Sequence, residues 1–465
     1  MQRKISELGM KADYEVDDDL RLMVVPLNEI LAESMPQSHT SEVKCVAWAC
    51  SGHLLATCGR DKSVWFWEFD DEEDVQCVSV LQPHKQDVKC VTWHPFEDIL
   101  ASGSYDNTIN LYKEELDDWT MLSLKNTCSK QASFRRIWCI SWSHNGKILA
   151  SCGEDRSIYF WSLAVDNSLD VRLSLSGCHQ RSIRHLSWSP CDHYLASASF
   201  DGTVIIWKLS LEDSNMEAEA VATLEGHTSE VKCVAWACSG HLLATCGRDK
   251  SVWFWEFDDE EDVQCVSVLQ PHKQDVKCVA WHPFEEILAS GSYDNTINLY
   301  KEELDDWTVI VQLTGHTSTV WKVAFSPDGK ILASCSDDQT IRLWSPFGAA
   351  SDKPQTPVWS CLSILSGHHT EAIFDLSWSP DGTFLASGGG DNHLCVFHVP
   401  PSEQLIQSNY SELSPPITLW IHQPEAHRED VNSVQWRPLP DSCDTLELCT
   451  ASDDGTIRLW SMPKG

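Results

Sequence analysis

Apolar residues along this chain fall in short runs rich in β-formers, such as Val231-Lys232-Cys233-Val234-Ala235-Trp236 and Ser251-Val252-Trp253-Phe254-Trp255. Between such runs, Ser-Pro-Asp-Gly at 326–329 and again at 379–382 places Pro and Gly where a tight turn needs them. The pattern predicts short strands joined by turns.

The runs belong to a repeating unit at roughly the 40–45 residue spacing of WD40 repeats, with some longer intervals. Each unit opens near a His, as in Gly226-His227, Gly315-His316 and Ala426-His427. A Trp or Phe follows at Trp48, Trp93, Trp142, Trp188, Trp236, Trp281, Phe325, Trp378 and Trp436. A Leu-Ala-Ser-like run then leads to an Asp, from Asp61 and Asp106 through Asp338 and Asp454. A second aromatic closes each unit, from Trp67 and Tyr112 through Phe397 and Trp460. Four strands per unit, stacked radially, make an all-β WD40 β-propeller in which neighbouring units supply the core. The Trp-Asp dipeptide is absent from every unit: Glu, Lys, Ser or His follows the aromatic.

Nine units are present, and two are copies. Residues 38–120 repeat residues 226–308 with three differences: Ser38 for Gly226, Thr92 for Ala280 and Asp98 for Glu286. The copy reads as a recent duplication or an error in assembling the gene. Seven units from Ser133 to Trp460 suffice for a ring. Only Ser-Met-Pro-Lys-Gly follows Trp460, and Trp119 to Leu124 resembles an outer strand that could complete the last blade. A nine-bladed ring would have to close with Leu22 to Val25, interrupted by Pro26. The expectation is therefore a flexible extension over 1–35, two extra repeats over 36–118, and a seven-bladed propeller over 119–465. The two extra blades would leave exposed strand edges.

Composition narrows the function. With 34 Lys and Arg against 69 Asp and Glu, the formal charge is −35. Such a surface repels nucleic acid and anionic membranes, so neither is expected as a partner. No secretory leader or membrane-length apolar run is legible, which points to a cytoplasmic protein, present also in the nucleus. In that compartment the 20 cysteines should be free thiols.

Three constellations carry candidate chemistry. His316, Ser334 and Asp338, with Trp344, are the residue types of a serine hydrolase, but the set recurs around the ring and fits a structural hydrogen-bond network. Ser133 and Tyr300 interrupt it, so their blades should be held less tightly. Cys45, Cys139, Cys233 and Cys278 share one repeat position, and Cys58, Cys152, Cys246 and Cys335 another. Equivalent positions lie one per blade, and no Cys-x-x-Cys occurs, so small buried core residues are expected. No catalytic residue, cofactor site or metal site is expected. The third constellation is a surface patch. Phe200, Arg248 and Tyr293 each precede a turn Asp on adjacent units, and Arg184, Lys232, Lys277 and Trp321 sit five residues after the His position. Aromatic and Arg side chains are the composition of binding hot spots, which makes these seven the candidate protein-binding residues.

Beyond generic repeats, LLATCGRDKSVWFWE (242–256), HKQDVK (272–277), KEELDDW (301–307) and HTSTVWKVAFSPDGKILASCSDDQTIRLW (316–344) resemble the cytosolic iron–sulfur assembly WD40 protein, the Cia/Ciao family. The resemblance runs from about residue 121 to the C-terminus. It implies a non-enzymatic scaffold of the cytosolic iron–sulfur targeting complex, bridging a small acidic adaptor, a HEAT-repeat scaffold and apo iron–sulfur clients. Arg248 matches the family's top-face arginine in the RDKSVW stretch. The alternative is a generic WD40 scaffold, such as a ubiquitin-ligase substrate receptor or a chromatin reader.

Overall fold

The computed structural model describes residues 28–30, 39–69, 75–115, 118–122, 136–163, 169–212, 215–257, 263–304, 306–346, 359–401, 405, 417–438 and 445–463. These residues form nine antiparallel four-stranded sheets. Eight are built from four consecutive strands and span 43–81, 88–121, 137–175, 183–224, 231–269, 276–313, 320–365 and 373–423. The ninth combines Val431–Trp436, Thr445–Ser452 and Ile457–Pro463 with Asn28–Ile30 from the N-terminal part of the chain.

The nine blades close into one ring. First strands of consecutive blades pack side by side from blade 1 to blade 9. At the closing junction, Val43–Trp48 of blade 1 packs against Thr445–Ser452 of blade 9. Every junction between neighbouring blades holds its own apolar cluster. The closing cluster joins Val43, Val46, Leu55, Trp65, Trp67 and Phe69 to Cys449 and Ala451. A fully buried side chain of this kind contributes about 1.5–3 kcal/mol, and one blade has no partner for its apolar faces except its neighbours.

The expected seven-bladed propeller with two attached repeats is thus overturned. Residues 39–121 are blades 1 and 2 of a nine-bladed ring. The segment Asp118–Met121, expected to complete the last blade, is instead the outer strand of blade 2, with Tyr112 opposite Met121 and Glu115 opposite Asp118. A hairpin partner a few residues away closes a far shorter loop than one across the ring. Trp119 is buried there and stacks on Phe66 at 4.3 Å. The last blade is completed by Asn28–Ile30, with Asn28 opposite Ser461 and Ile30 opposite Leu459. This strand starts beyond Pro26, which lacks the N–H a ladder needs.

Candidate functional site

Among the described residues, eight of the nine blades tie the turn to the sheet by the recurring His, Ser or Thr, and Asp. His316 Nδ1 meets Asp338 Oδ2 at 2.9 Å, and its Nε2 meets Ser334 Oγ at 2.8 Å. Trp344 Nε1 donates to the same Ser334 oxygen at 2.9 Å. Asp338 also accepts the Thr317 and Thr340 amides. The serine is fully buried and its lone pair is taken by the indole, so no carbonyl can approach it. Burial opposes ionisation of Asp61, yet hydrogen bonds from His39, Ser63 and the Thr40 amide hold its pKa at about 2. Asp338 and Asp454 are likewise held well below the usual carboxylate range against burial, foremost by His316 and His427.

The tyrosine blades are not looser. Tyr300 Oη reaches Ser290 Oγ at 2.7 Å and Tyr112 Oη reaches Ser102 Oγ at 2.8 Å, so each phenol does the work of the indole. Ser133 lies outside the described residues. In its blade, Tyr159 Oη donates to Asp155 Oδ2 at 2.8 Å.

The cysteines are also closer together than the repeat positions implied. Within a blade the two positions are cross-strand partners, so Cys45 faces Cys58, Cys139 faces Cys152 and Cys233 faces Cys246. Burial pushes the Cys58 thiol well up, while its hydrogen bond holds Cys45 down to about 7.

The surface patch rests on a backbone device that the strand pattern hides. In all nine blades the first strand carries a bulge one residue in, where Val231 and Cys233 pair with Gly247 and Cys246 and Lys232 is passed over. The passed-over residue is Lys44, Lys89, Trp138, Arg184, Lys232, Lys277, Trp321, Phe374 or Asn432 in turn. Bulges re-aim side chains, and here they build a crown that is basic and aromatic on an acidic protein.

Within the crown, Lys232 Nζ lies 5.1 Å from the Tyr293 ring centre and pairs with Asp275 at 2.7 Å. Tyr293 packs edge-on to Trp321 at 5.9 Å, Lys277 lies 4.8 Å over Trp321, and Trp321 meets Phe374 at 5.6 Å. Four of the predicted residues therefore form one cluster. Arg184 belongs to a second, over Trp138 at 5.0 Å, with Tyr105 beside that indole at 5.4 Å and Arg136 over Tyr105. The indole N–H groups of Trp138 and Trp321 are buried without a protein acceptor. The cation over Phe200 is Arg181, not Arg248. Arg248 is exposed and reaches Glu230 at 3.9 Å, and Arg181 reaches the same carboxylate at 3.4 Å. Sequence reasoning missed Tyr105, Arg136, Trp138, Arg181 and Phe374. Extending the five-after-His position to every unit would have found Trp138 and Phe374.

Comparison with known proteins agrees with the nine repeats. The WD domain, G-beta repeat family matches nine times, at residues 33–68, 75–113, 124–162, 171–208, 218–256, 263–301, 307–345, 359–398 and 420–461. A probable cytosolic iron–sulfur protein assembly protein CIAO1 homolog of Schistosoma japonicum is 55% identical over 351 residues, covering 74% of this chain and 99% of that protein. The chain belongs to the CIAO1 family of WD40-repeat proteins.

A second family member, the probable cytosolic iron–sulfur protein assembly protein Ciao1 of Aedes aegypti, is 44% identical over 332 residues, covering 70% of this chain and 94% of that protein. The CIAO1 relative from Schistosoma japonicum is accounted for almost whole by three quarters of this chain, which is therefore the longer of the two. The crystal structure of Sqt1 from Chaetomium thermophilum, at 16% identity and a TM-score of 0.59, covers 75% of this chain and 94% of its own and shows a shared fold. Among the described residues no helix is long and apolar enough to cross a membrane.

Proposed function

We propose that the chain is a non-catalytic scaffold of cytosolic iron–sulfur protein assembly, helping deliver clusters to apo-protein clients through protein–protein contacts. The observation that carries the reading is the bulge-built crown, whose cations and rings sit on a chain of formal charge −35. Acidic segments bearing an aromatic side chain suit it. Arg248 and Lys232 offer charge, and Tyr293 and Trp321 offer ring faces. The partners this implies are a small acidic adaptor, a HEAT-repeat scaffold and apo iron–sulfur proteins, met in the cytoplasm. Family membership supports the pathway, and the buried serines support the absence of catalysis. The cluster is cargo in this reading.

The test is capture of endogenous partners by the full chain and by Arg248→Glu. The exposed Arg248 carries no core packing, so the variant should fold. Recovery of iron–sulfur assembly components should fall, with affinity weakened by about 1–3 kcal/mol. A folded variant that binds every partner normally contradicts the assignment of the site. Recovery of cullin adaptors or histones instead contradicts the function.

A further inference from the structure

Blade 8 departs from the other blades at one residue of its turn. Two positions after the turn Asp, seven of the nine blades carry a Ser or Thr whose hydroxyl hydrogen-bonds that Asp; blade 3 has Ser157 there, bonded to the Asp155 carbonyl. Thr340 in blade 7 is typical, with Oγ1 at 2.7 Å from Asp338 and 3.3 Å from His316 Nδ1. In blade 8 the residue is His393. Its Nδ1 lies 3.3 Å from Asp391 Oδ2, 3.3 Å from His422 Nε2 on the outer strand Thr418–Gln423, and 3.5 Å from the His368 carbonyl oxygen. His369, the tetrad histidine of the same blade, completes a group whose donor atoms with Asp391 and His393 all lie within 4.8 Å of one another.

In either tautomer His393 Nδ1 hydrogen-bonds to only part of this set, whereas one cation can be shared by imidazole and carboxylate donors together. Two ligands at the usual 2.0–2.1 Å from a tetrahedral zinc ion stand about 3.3–3.4 Å apart. The His393 to His422 and His393 to Asp391 separations, 3.3 Å each, have that value. Two chain segments supply the donors: the turn, which carries both Asp391 and His393, and the outer strand, which carries His422. Asp391 is already fixed by His369 and the Thr370 amide, which holds a ligating carboxylate in place. His422 is exposed, so an ion can enter and a water can take a fourth position.

We propose that blade 8 binds one divalent transition-metal ion of the zinc class through His393 Nδ1 and an Asp391 carboxylate oxygen, with the exposed His422 turning its Nε2 from His393 toward Asp391 to complete the set. Imidazole and carboxylate donors suit zinc, copper and nickel over magnesium or calcium. The site lies at the turn and outer strand of blade 8 and shares no residue with the crown cluster, which reaches this blade only at Phe374 on its first strand, and it is independent of the scaffold reading. The sequence reading expected no metal because it searched the cysteines and treated each His as part of the repeated network.

Titration of the full chain with Zn2+ alone, followed by calorimetry, tests this. One ion per chain should bind. Loss of a second-shell group alone costs about 10–100-fold in metal affinity, so His393→Thr and His422→Gln should each weaken binding at least that much. His393→Thr restores the residue type of Thr203, Thr296 and Thr340, which keeps the turn intact. Co2+ in place of Zn2+ should give four-coordinate visible bands without thiolate charge transfer. No stoichiometric site, binding that survives both substitutions, or a thiolate signature retained by both variants would overturn the proposal.

Discussion

Blades 1 and 2 and blades 5 and 6 are nearly one sequence placed twice in one ring, and they differ where their neighbours differ. Trp236 donates its Nε1–H to the Ser187 carbonyl of the preceding blade at 3.0 Å. The same bond between neighbouring blades is made by Trp93, Trp188, Trp281, Trp378 and Trp436. The Nε1–H of Trp48, the copy of Trp236, is buried and makes no bond to a carbonyl of the neighbouring blade, and neither does that of Trp142. These two tryptophans flank the duplicated pair, one at the closing seam and one at the junction from blade 2 to blade 3. Tyr194 packs on Trp236 and Phe257 in the second copy, whereas Arg437 of blade 9 lies over Trp48 and Phe69 in the first. The crown shows the same dependence. Tyr293 meets Lys232 and Trp321, while its copy Tyr105 meets Arg136 and Trp138. A blade's sequence sets its own sheet and tetrad. Its neighbours set its seams and its binding face.

Acid should produce the largest effect, and it should treat the two copies alike, because both keep the tetrad. Burial lowers the pKa of His316 and His427 from 6.5 despite their Asp partners. Below about pH 6.5 the unfolded chain takes up protons that these native histidines resist, so stability falls as pH drops. The loss should steepen below about pH 4, where unfolded carboxylates protonate while Asp61 and Asp391, held at about 2, resist. Melting temperatures from pH 7.5 to 3 check both stages. A profile flat down to pH 4 contradicts the histidine assignment.

Arg437 is the next sharpest probe of the seam. It is buried, paired with Glu447 and bonded to the Gly52 carbonyl of blade 1. Arg437→Ala should cost about 3–5 kcal/mol, because it breaks a buried ion pair with Glu447 and the bond to the Gly52 carbonyl. Tyr194→Ala, the corresponding loss at the second copy, should cost about 1–2 kcal/mol of half-buried aromatic contact. Denaturant midpoints of the two variants give the ratio, and equal costs would mean the seam is not special.

The smallest effect compares the copies directly. Trp236→Phe removes a bond that Trp48→Phe does not, so it should be about 1 kcal/mol more destabilising. Indistinguishable midpoints would remove the distinction between the two junctions.

Much of this was legible in the sequence. Trp255 and Asp249, spaced as in every other unit, announce the blade, and His227 announces its tetrad. Of the seven candidate residues, Lys232, Lys277, Tyr293 and Trp321 form one cluster and Arg184 belongs to another, while Arg248 pairs with Glu230 and Phe200 lies under Arg181. What stayed hidden depends on register and distance. The bulge at Lys232 leaves no mark in the period-two pattern, and the pairing of Cys233 with Cys246 follows from that register. Ring closure was misread because Asn28–Ile30 is too short to announce itself, and because Trp119 looked as fit for a distant partner as for the adjacent hairpin. Near-identity of the copies also misled, since it says nothing about how many blades a ring holds. One of the three differences does bear on structure: a Cβ at Gly226, at φ +151°, would lie 1.9 Å from the Trp253 ring, so the second copy needs its glycine.

The central claim is that the nine blades are one ring closed through blades 1, 9 and residues 28–30. The most direct measurement compares thermal and denaturant unfolding of the full chain with that of the chain cut to residues 119–465. The ring predicts that the shortened chain, stripped of the blade 1 cluster around Val43 and Phe69 and of the Asn28–Ile30 strand, melts lower and aggregates. A shortened chain that is monomeric and as stable as the full chain would contradict it.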